Sequence, residues 1–215
     1  MPSTRAGVAM LEQLWASLRP VGASAAAWRA IFDELVARYR EPHRHYHDLA
    51  HLAEMAALLE GEAARLVDRG AVLLAMFFHD AVLVAGAGDN EARSAALART
   101  ALATLVPPPT AARIEALVLA TRGHGHAPAD GDRTLLVDAD LAILAAPPAR
   151  FAAYDRGIRA EYGHLPAAVY AAGRRKFLAG MLARPRIFGD PVLAPRLEPA
   201  ARANLTAALA TSSAA

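Results

Sequence analysis

AVLLAMFFHDAVLV, residues 71–84, is apolar at every position except His79 and Asp80. An unpaired carboxylate in such surroundings is costly to desolvate, so the pair needs an ion-pair partner, a hydrogen-bond network or a metal ion that takes both side chains. The run is long enough to raise the question of a membrane span. An Asp at the centre of a spanning helix costs roughly 2.5–3.5 kcal/mol on insertion scales, and the segment tails into AGAG, so it reads as a buried core helix.

Working outward, 215 residues with 55% hydrophobic content and no dividing linker predict a single domain with one sizeable core. Alanine dominates and β-branched runs are scarce, which predicts an all-α fold. Acidic and basic residues are interspersed at a formal net charge of +2, so no basic stripe marks a nucleic-acid partner. Cysteine is absent, which excludes disulfides and thiolate metal sites and fits a reducing compartment. The opening MPSTRAGVAMLEQLW lacks the charged start and apolar run of a signal peptide, and the expectation is a cytoplasmic protein without a membrane anchor.

Helical spacing predicts a helix over 7–18 (Val8, Leu11, Leu14, Trp15, Leu18) and another to about residue 40, capped by Ser24 and carrying Trp28, Ile31, Phe32, Leu35 and Tyr39. Further helices are expected from about His47, after the Asp89 and Thr110 caps, and over 133–144, 149–162, 166–182 and 198–210, with Pro107–Pro109 and Pro147–Pro148 as breaks.

Chemistry begins in PHRHYHDLAHLAEMAALLE, which places His43, His45, His47 and His51 within nine residues. His47 and His51, four apart on the expected helix, would share a face. RTLLVDADLAIL repeats the signature of the opening stretch, with Asp138 and Asp140 inside an apolar helix. Residues two apart point about 200° away from one another, so only one of the two can face a shared ion and the other is structural or outer-shell. His51, His79–Asp80 and one of these aspartates come from three helices, and a single divalent cation would satisfy all of them.

In order and spacing, HYHDLAH, MFFHDAVLV and LLVDADLAIL resemble the HD-domain superfamily of metal-dependent phosphohydrolases, whose pattern is a His, a later His-Asp pair and a distant Asp. Residues 46–51, YHDLAH, also resemble the Tyr-His-Asn-x-x-His of cyclic-nucleotide phosphodiesterases. Asn90–Glu91 with Ser94, Thr121-x-x-His124 and Arg159-x-Glu161-Tyr162 extend the likeness to a bacterial subgroup of predicted HD phosphohydrolases over roughly residues 39–182.

The resemblance implies an HD-type helical bundle with a buried metal site. His51, His79, Asp80 and Asp140 would be its ligands, Asp140 rather than Asp138 because the family's last Asp usually precedes Leu or Arg-Leu. The ion would be Mn, Fe, Mg, Co, Ni or Zn, in one copy or two, with His124 and His126 as the additional histidines for a second ion. The implied chemistry is hydrolysis of a phosphate ester or anhydride by a metal-activated water, with Asp80 in the catalytic centre and His47 protonating the departing oxygen. Arg44, Arg159 and Arg174 are candidate phosphate contacts, with Glu91 and His124 beside the substrate. The implied partner is a small phosphorylated molecule, nucleotides being the first class to try.

Three other readings compete. His47-Asp48-Leu49-Ala50-His51 resembles the zinc-protease His-Glu-x-x-His with Asp for Glu, but leaves His79, Asp80 and Asp140 unexplained. A di-iron oxygenase on the HD fold would need the extra histidines as ligands. A regulatory nucleotide-binding module would keep the ion as a structural staple without turnover.

Overall fold

The computed structural model describes residues 5–125 and 129–211, and among these every regular element is helical. Ten α-helices run in order: α1 (Arg5–Ser17), α2 (Ala25–Arg38), α3 (Leu49–Gly61), α4 (Arg69–Phe78), α5 (Asn90–Leu102), α6 (Pro108–Ala120), α7 (Gly131–Leu141), α8 (Pro148–Glu161), α9 (Ala167–Ala183) and α10 (Leu193–Thr211). None of the described helices is long and apolar enough to cross a membrane.

Two apolar clusters organise them. The larger is centred on α4, whose Val72, Leu73, Ala75, Met76 and Phe78 are entirely enclosed by α1–α3 and the α5–α6 pair. The α1–α2 hairpin is locked by Trp15 and Trp28, which stack at 4.5 Å and donate their indole N–H groups to each other's carbonyls at 2.9 and 2.8 Å. Each indole is thereby buried with its one donor satisfied. Phe77 meets Trp15 edge-on at 5.1 Å, tying the hairpin to the central helix. The second cluster, built from the end of α7 with α8, α9 and α10, includes Phe151, Tyr154, Leu178, Phe188 and Leu205. Helices α3, α4 and α7 pack mutually, and between the two clusters they deliver their polar residues.

Four local readings need correction. The expected continuous helix through 71–84 stops at Phe78, and His79–Asp80 lie in the turn beyond it. Tertiary hydrogen bonds capture the backbone there: the Tyr39 hydroxyl takes the Asp80 N–H at 3.2 Å, and the Ser94 hydroxyl takes the Val82 N–H at 3.0 Å. His47 precedes α3 instead of riding on it, because Asp48 is the N-cap and accepts from the N–H groups of Ala50 and His51. Helix α6 is entered at Pro107–Pro108 and not at Thr110, since proline's fixed φ suits the first turn. Asp89 occupies its expected N-cap position without a side-chain cap bond, whereas Ser24 caps α2 as read. The last helix begins earlier than read, at Leu193.

One glycine shapes the site from outside it. On α8, Gly157 passes under the 45–46 backbone so closely that a Cβ there would lie 2.8 Å from the His45 carbonyl oxygen and 3.1 Å from the Tyr46 Cβ.

Candidate metal centre

His51 reaches inward from the first turn of α3, His79 from the end of α4, and Asp140 from the last turn of α7. Their ligand-type atoms all lie within 4.8 Å of one another. The Nε2 atoms of His51 and His79 are 3.3 Å apart, and Asp140 Oδ1 stands 3.3 Å from the first and 3.7 Å from the second. This His/His/Asp group, its two histidines buried and its aspartate partly so, could hold a metal ion.

The hydrogen bonds on the far side of each ring support that reading. His79 Nδ1 donates to the Met76 carbonyl at 2.8 Å, which turns Nε2 to the centre. On His51 the Nδ1 is 3.1 Å from the Tyr46 hydroxyl, again turning Nε2 to the centre. Two ring nitrogens facing each other at 3.3 Å need a hydrogen or a cation between them. Ligand bonds of about 2.0–2.2 Å at roughly 90–110° give ligand–ligand edges of about 3.0–3.5 Å, close to the spacing found. Outer partners that fix the tautomer are the usual support of metal-binding histidines.

Asp80 stands beside this group, its Oδ2 3.2 Å from His79 Nε2 and 3.8 Å from His47 Nε2. Burial pushes the Asp80 carboxyl up, but the charges of His79 and His47 outweigh it and hold the group below the carboxylate range. For Asp140 burial acts likewise, and hydrogen bonds from His124, His51 and His79 hold it well below its ordinary value. Burial disfavours the His79 cation, yet Asp80 and its other neighbours raise its pKa well above the usual histidine value. Both carboxylates are thus kept in the anionic form that a cation requires.

His47 faces the same space from the 41–48 loop. Burial would lower its pKa, but Asp80 and Glu161 prevail and raise it. Glu161, at the end of α8, accepts the consecutive backbone N–H groups of His45, Tyr46 and His47 on Oε1 at 2.9, 2.8 and 2.9 Å. Its Oε2 takes His47 Nδ1 at 2.7 Å. One carboxylate therefore shapes the loop and orients the ring it carries. Burial pushes Glu161 up, and these bonds with the His47 charge bring it down to about 2.

No family model, curated protein or solved structure matches this chain.

A cavity of about 420 Å³ opens onto the cluster, with His47, Asp80, His124 and Asp140 at its polar end and Asn90 and Glu91 also on its wall. His124 Nε2 lies 3.0 Å from Asp140 Oδ2, on the carboxylate oxygen not directed at His51. Its backbone is in the left-handed region (φ 52°), and its carbonyl and that of Gly123 are held by Arg184 at 2.9 and 2.8 Å. His126 lies outside the described residues.

The arginines expected at phosphate are engaged elsewhere. Arg44 has a fully buried side chain that donates to the carbonyls of His47, Asp80 and Ala81 and to Glu41, stacked over the Tyr39 ring at 4.9 Å. It braces the two loops that carry His47 and Asp80, with no fork left for a ligand. Arg159 donates to the Tyr162 carbonyl and lies over Tyr170 at 4.7 Å. Arg174 does line the cavity, but pairs with Asp155 and donates to the Tyr154 hydroxyl. Glu161 and Tyr46 are the site residues that the sequence reading passed over as ligand partners. The only signal was their presence in motifs singled out for other members.

Proposed function

We propose that this protein is a metal-dependent phosphohydrolase of the HD type, with His51, His79, Asp140 and the adjoining Asp80 holding a divalent cation. The observation that carries the reading is the convergence of two buried Nε2 atoms 3.3 Å apart with the Asp140 carboxylate at the end of a cavity. An ion held there would supply Lewis acidity toward a water and a phosphoryl oxygen.

The chain's own residues account for the rest. Hydrolysis forms one P–O bond to water and breaks the ester P–O bond, and the leaving oxygen needs a proton. His47 is placed to give it: Glu161 fixes its Nδ1, so Nε2 is the nitrogen that faces the cavity, and the Asp80 and Glu161 carboxylates raise its pKa above the ordinary histidine value. The arrangement follows the general logic of a base or acid oriented by a carboxylate behind it. Arg44 holds the His47 and Asp80 backbones in register. A two-ion version of the site is favoured by one observation, the placement of His124 on the second oxygen of Asp140.

Elemental analysis of the purified protein, wild type beside Asp80→Ala, tests the reading, followed by a phosphatase screen with and without chelator. About one transition metal per chain, diminished in the variant, with chelator-sensitive phosphate release, is expected. About two ions per chain would bring His124 into the ligand set. No ion after reconstitution with Mn or Fe would sink the proposal and leave a helical binding module.

A further inference from the structure

Away from its polar end, the large cavity is walled by rings. Tyr154, Tyr162, Tyr170 and Phe177 line it together with aliphatic residues such as Leu144 and Ile158. Among the described residues, Arg174 is the one lysine or arginine on its lining. That guanidinium lies 5.0 Å from the Tyr154 ring centre and 5.1 Å from that of Phe177, with Asp155 paired to it. It is a flat, charge-compensated extension of the aromatic wall. The lining also carries the carboxylates Asp80, Asp140 and Glu91, so apart from a bound dication and the histidines beside it the cavity offers little positive charge.

These features discriminate between substrates of different charge. A triphosphate brings about four negative charges and demands several unpaired cationic donors, of the kind that bidentate arginines provide. One phosphate at the ligand cluster demands only the cation, His47 and His124. Aromatic walls reward a flat ring by offset or edge contacts, about 0.5–1.5 kcal/mol per pair beyond area burial. The volume falls within the range of sites for small organic ligands, about 300–1,000 Å³. Lys176 and Arg184 line an adjoining, more open depression that shares His124, Gly173 and Phe177 with the cavity, and there Arg184 is tied to backbone carbonyls.

We infer that the cavity takes a phosphate monoester bearing a single phosphate on an aromatic body of nucleoside size, and selects against di- and triphosphates and aliphatic phosphates. This rests on the phosphohydrolase reading above, and identifies the wall formed by α8 and α9 as the specificity element.

The test compares kcat/KM of the Mn-loaded protein for adenosine monophosphate, diphosphate and triphosphate and for glycerol 3-phosphate, with p-nitrophenyl phosphate as a general reporter. Calorimetric affinities of the same adenine nucleotides and glycerol 3-phosphate are measured in parallel. Adenosine monophosphate is expected to lead each of the others by about tenfold or more, and Phe177→Ala and Tyr170→Ala are each expected to bring its ratio to glycerol phosphate several-fold closer to one. Equal or better use of the triphosphate, above all if Lys176→Ala abolishes it, would overturn the inference, as would equal use of glycerol phosphate. If no ester is hydrolysed, p-nitrophenyl phosphate included, the phosphohydrolase reading fails, and calorimetry still decides the ligand class. Tighter binding of the monophosphate then upholds it, and equal or reversed affinities overturn it.

Discussion

On one side of α7 the Asp138 carboxylate accepts the backbone N–H groups of Gly189 and Asp190 at 2.9 and 2.8 Å. On the other, two residues later, Asp140 meets the imidazole nitrogens of His51, His79 and His124 at 3.3, 3.7 and 3.0 Å. Both are anions on one apolar helix, and their partners differ in kind. Backbone N–H groups are permanent donors, so Asp138 is a completed structural bond. Imidazoles donate or accept according to their protonation, so Asp140 and its histidines form a group whose charge depends on what enters it. Other carboxylates also hold backbone N–H groups: buried Asp132 accepts from Val67 and Asp68, and half-buried Glu198, paired with Arg202, accepts from Ile187 and Phe188. A buried acid is therefore not by itself a sign of chemistry here; the identity of its partners decides.

The sharpest way to break the comparison is at Asp140. Apparent zinc affinities of structural sites are about 10–16 kcal/mol, so one ligand of four carries roughly 3–4 kcal/mol, and Asp140→Asn is expected to weaken metal binding by several hundredfold. Competition with a chromophoric chelator reads this directly, and the unfolding midpoint of the metal-free variant should stay within a few degrees of wild type. Asp138→Asn should do the reverse. An amide cannot accept both N–H groups without turning its own NH₂ against one, so a loss of about 2–3 kcal/mol in denaturant unfolding is expected, with metal stoichiometry unchanged. Equal loss of metal in the two variants would erase the distinction between the two sides of α7.

A smaller effect separates Glu161 from both. Its folded-state pKa, about 2, lies below the ordinary 4.5, so its contribution is complete above pH 4.5 and fades as pH falls toward 2. Between pH 5 and pH 3 the linkage amounts to roughly 2 kcal/mol of stability. Urea unfolding across that range should show wild type losing more than Glu161→Gln by about that amount; parallel curves would mean that Glu161 does not hold the 45–47 loop in solution.

How much of this could be read from the sequence follows from the range of the forces involved. Residues 71–78 and 133–141 announce buried helices because apolar side chains surround them, and the same contrast exposed His79 and Asp140 as groups needing compensation. The stop at Phe78 was hidden, since AVLV continues the apolar run and the first Gly or Pro beyond it is Gly86. It is imposed by Tyr39 and Ser94, which lie 41 and 12 residues from the N–H groups they capture. Likewise Arg44 beside a histidine cluster resembles a phosphate contact until its carbonyl partners at residues 80 and 81 are seen. Glu161 binds three N–H groups more than a hundred residues upstream, and no local pattern carries that information. Asp138 and Asp140 illustrate the boundary: spacing separates their directions, and only tertiary partners separate their roles.

Gly157 carries a consequence for how the chain can drift through mutation. Replacing a helical glycine by alanine ordinarily favours the helix by roughly 1 kcal/mol, which makes such positions among the easiest to change. At 157 the added methyl would strike the backbone at His45 and displace the segment that presents His47. The position with the least chemistry of its own is thus constrained by a neighbour's, and one of the commonest routes to greater stability is closed at it by the fit of two backbones.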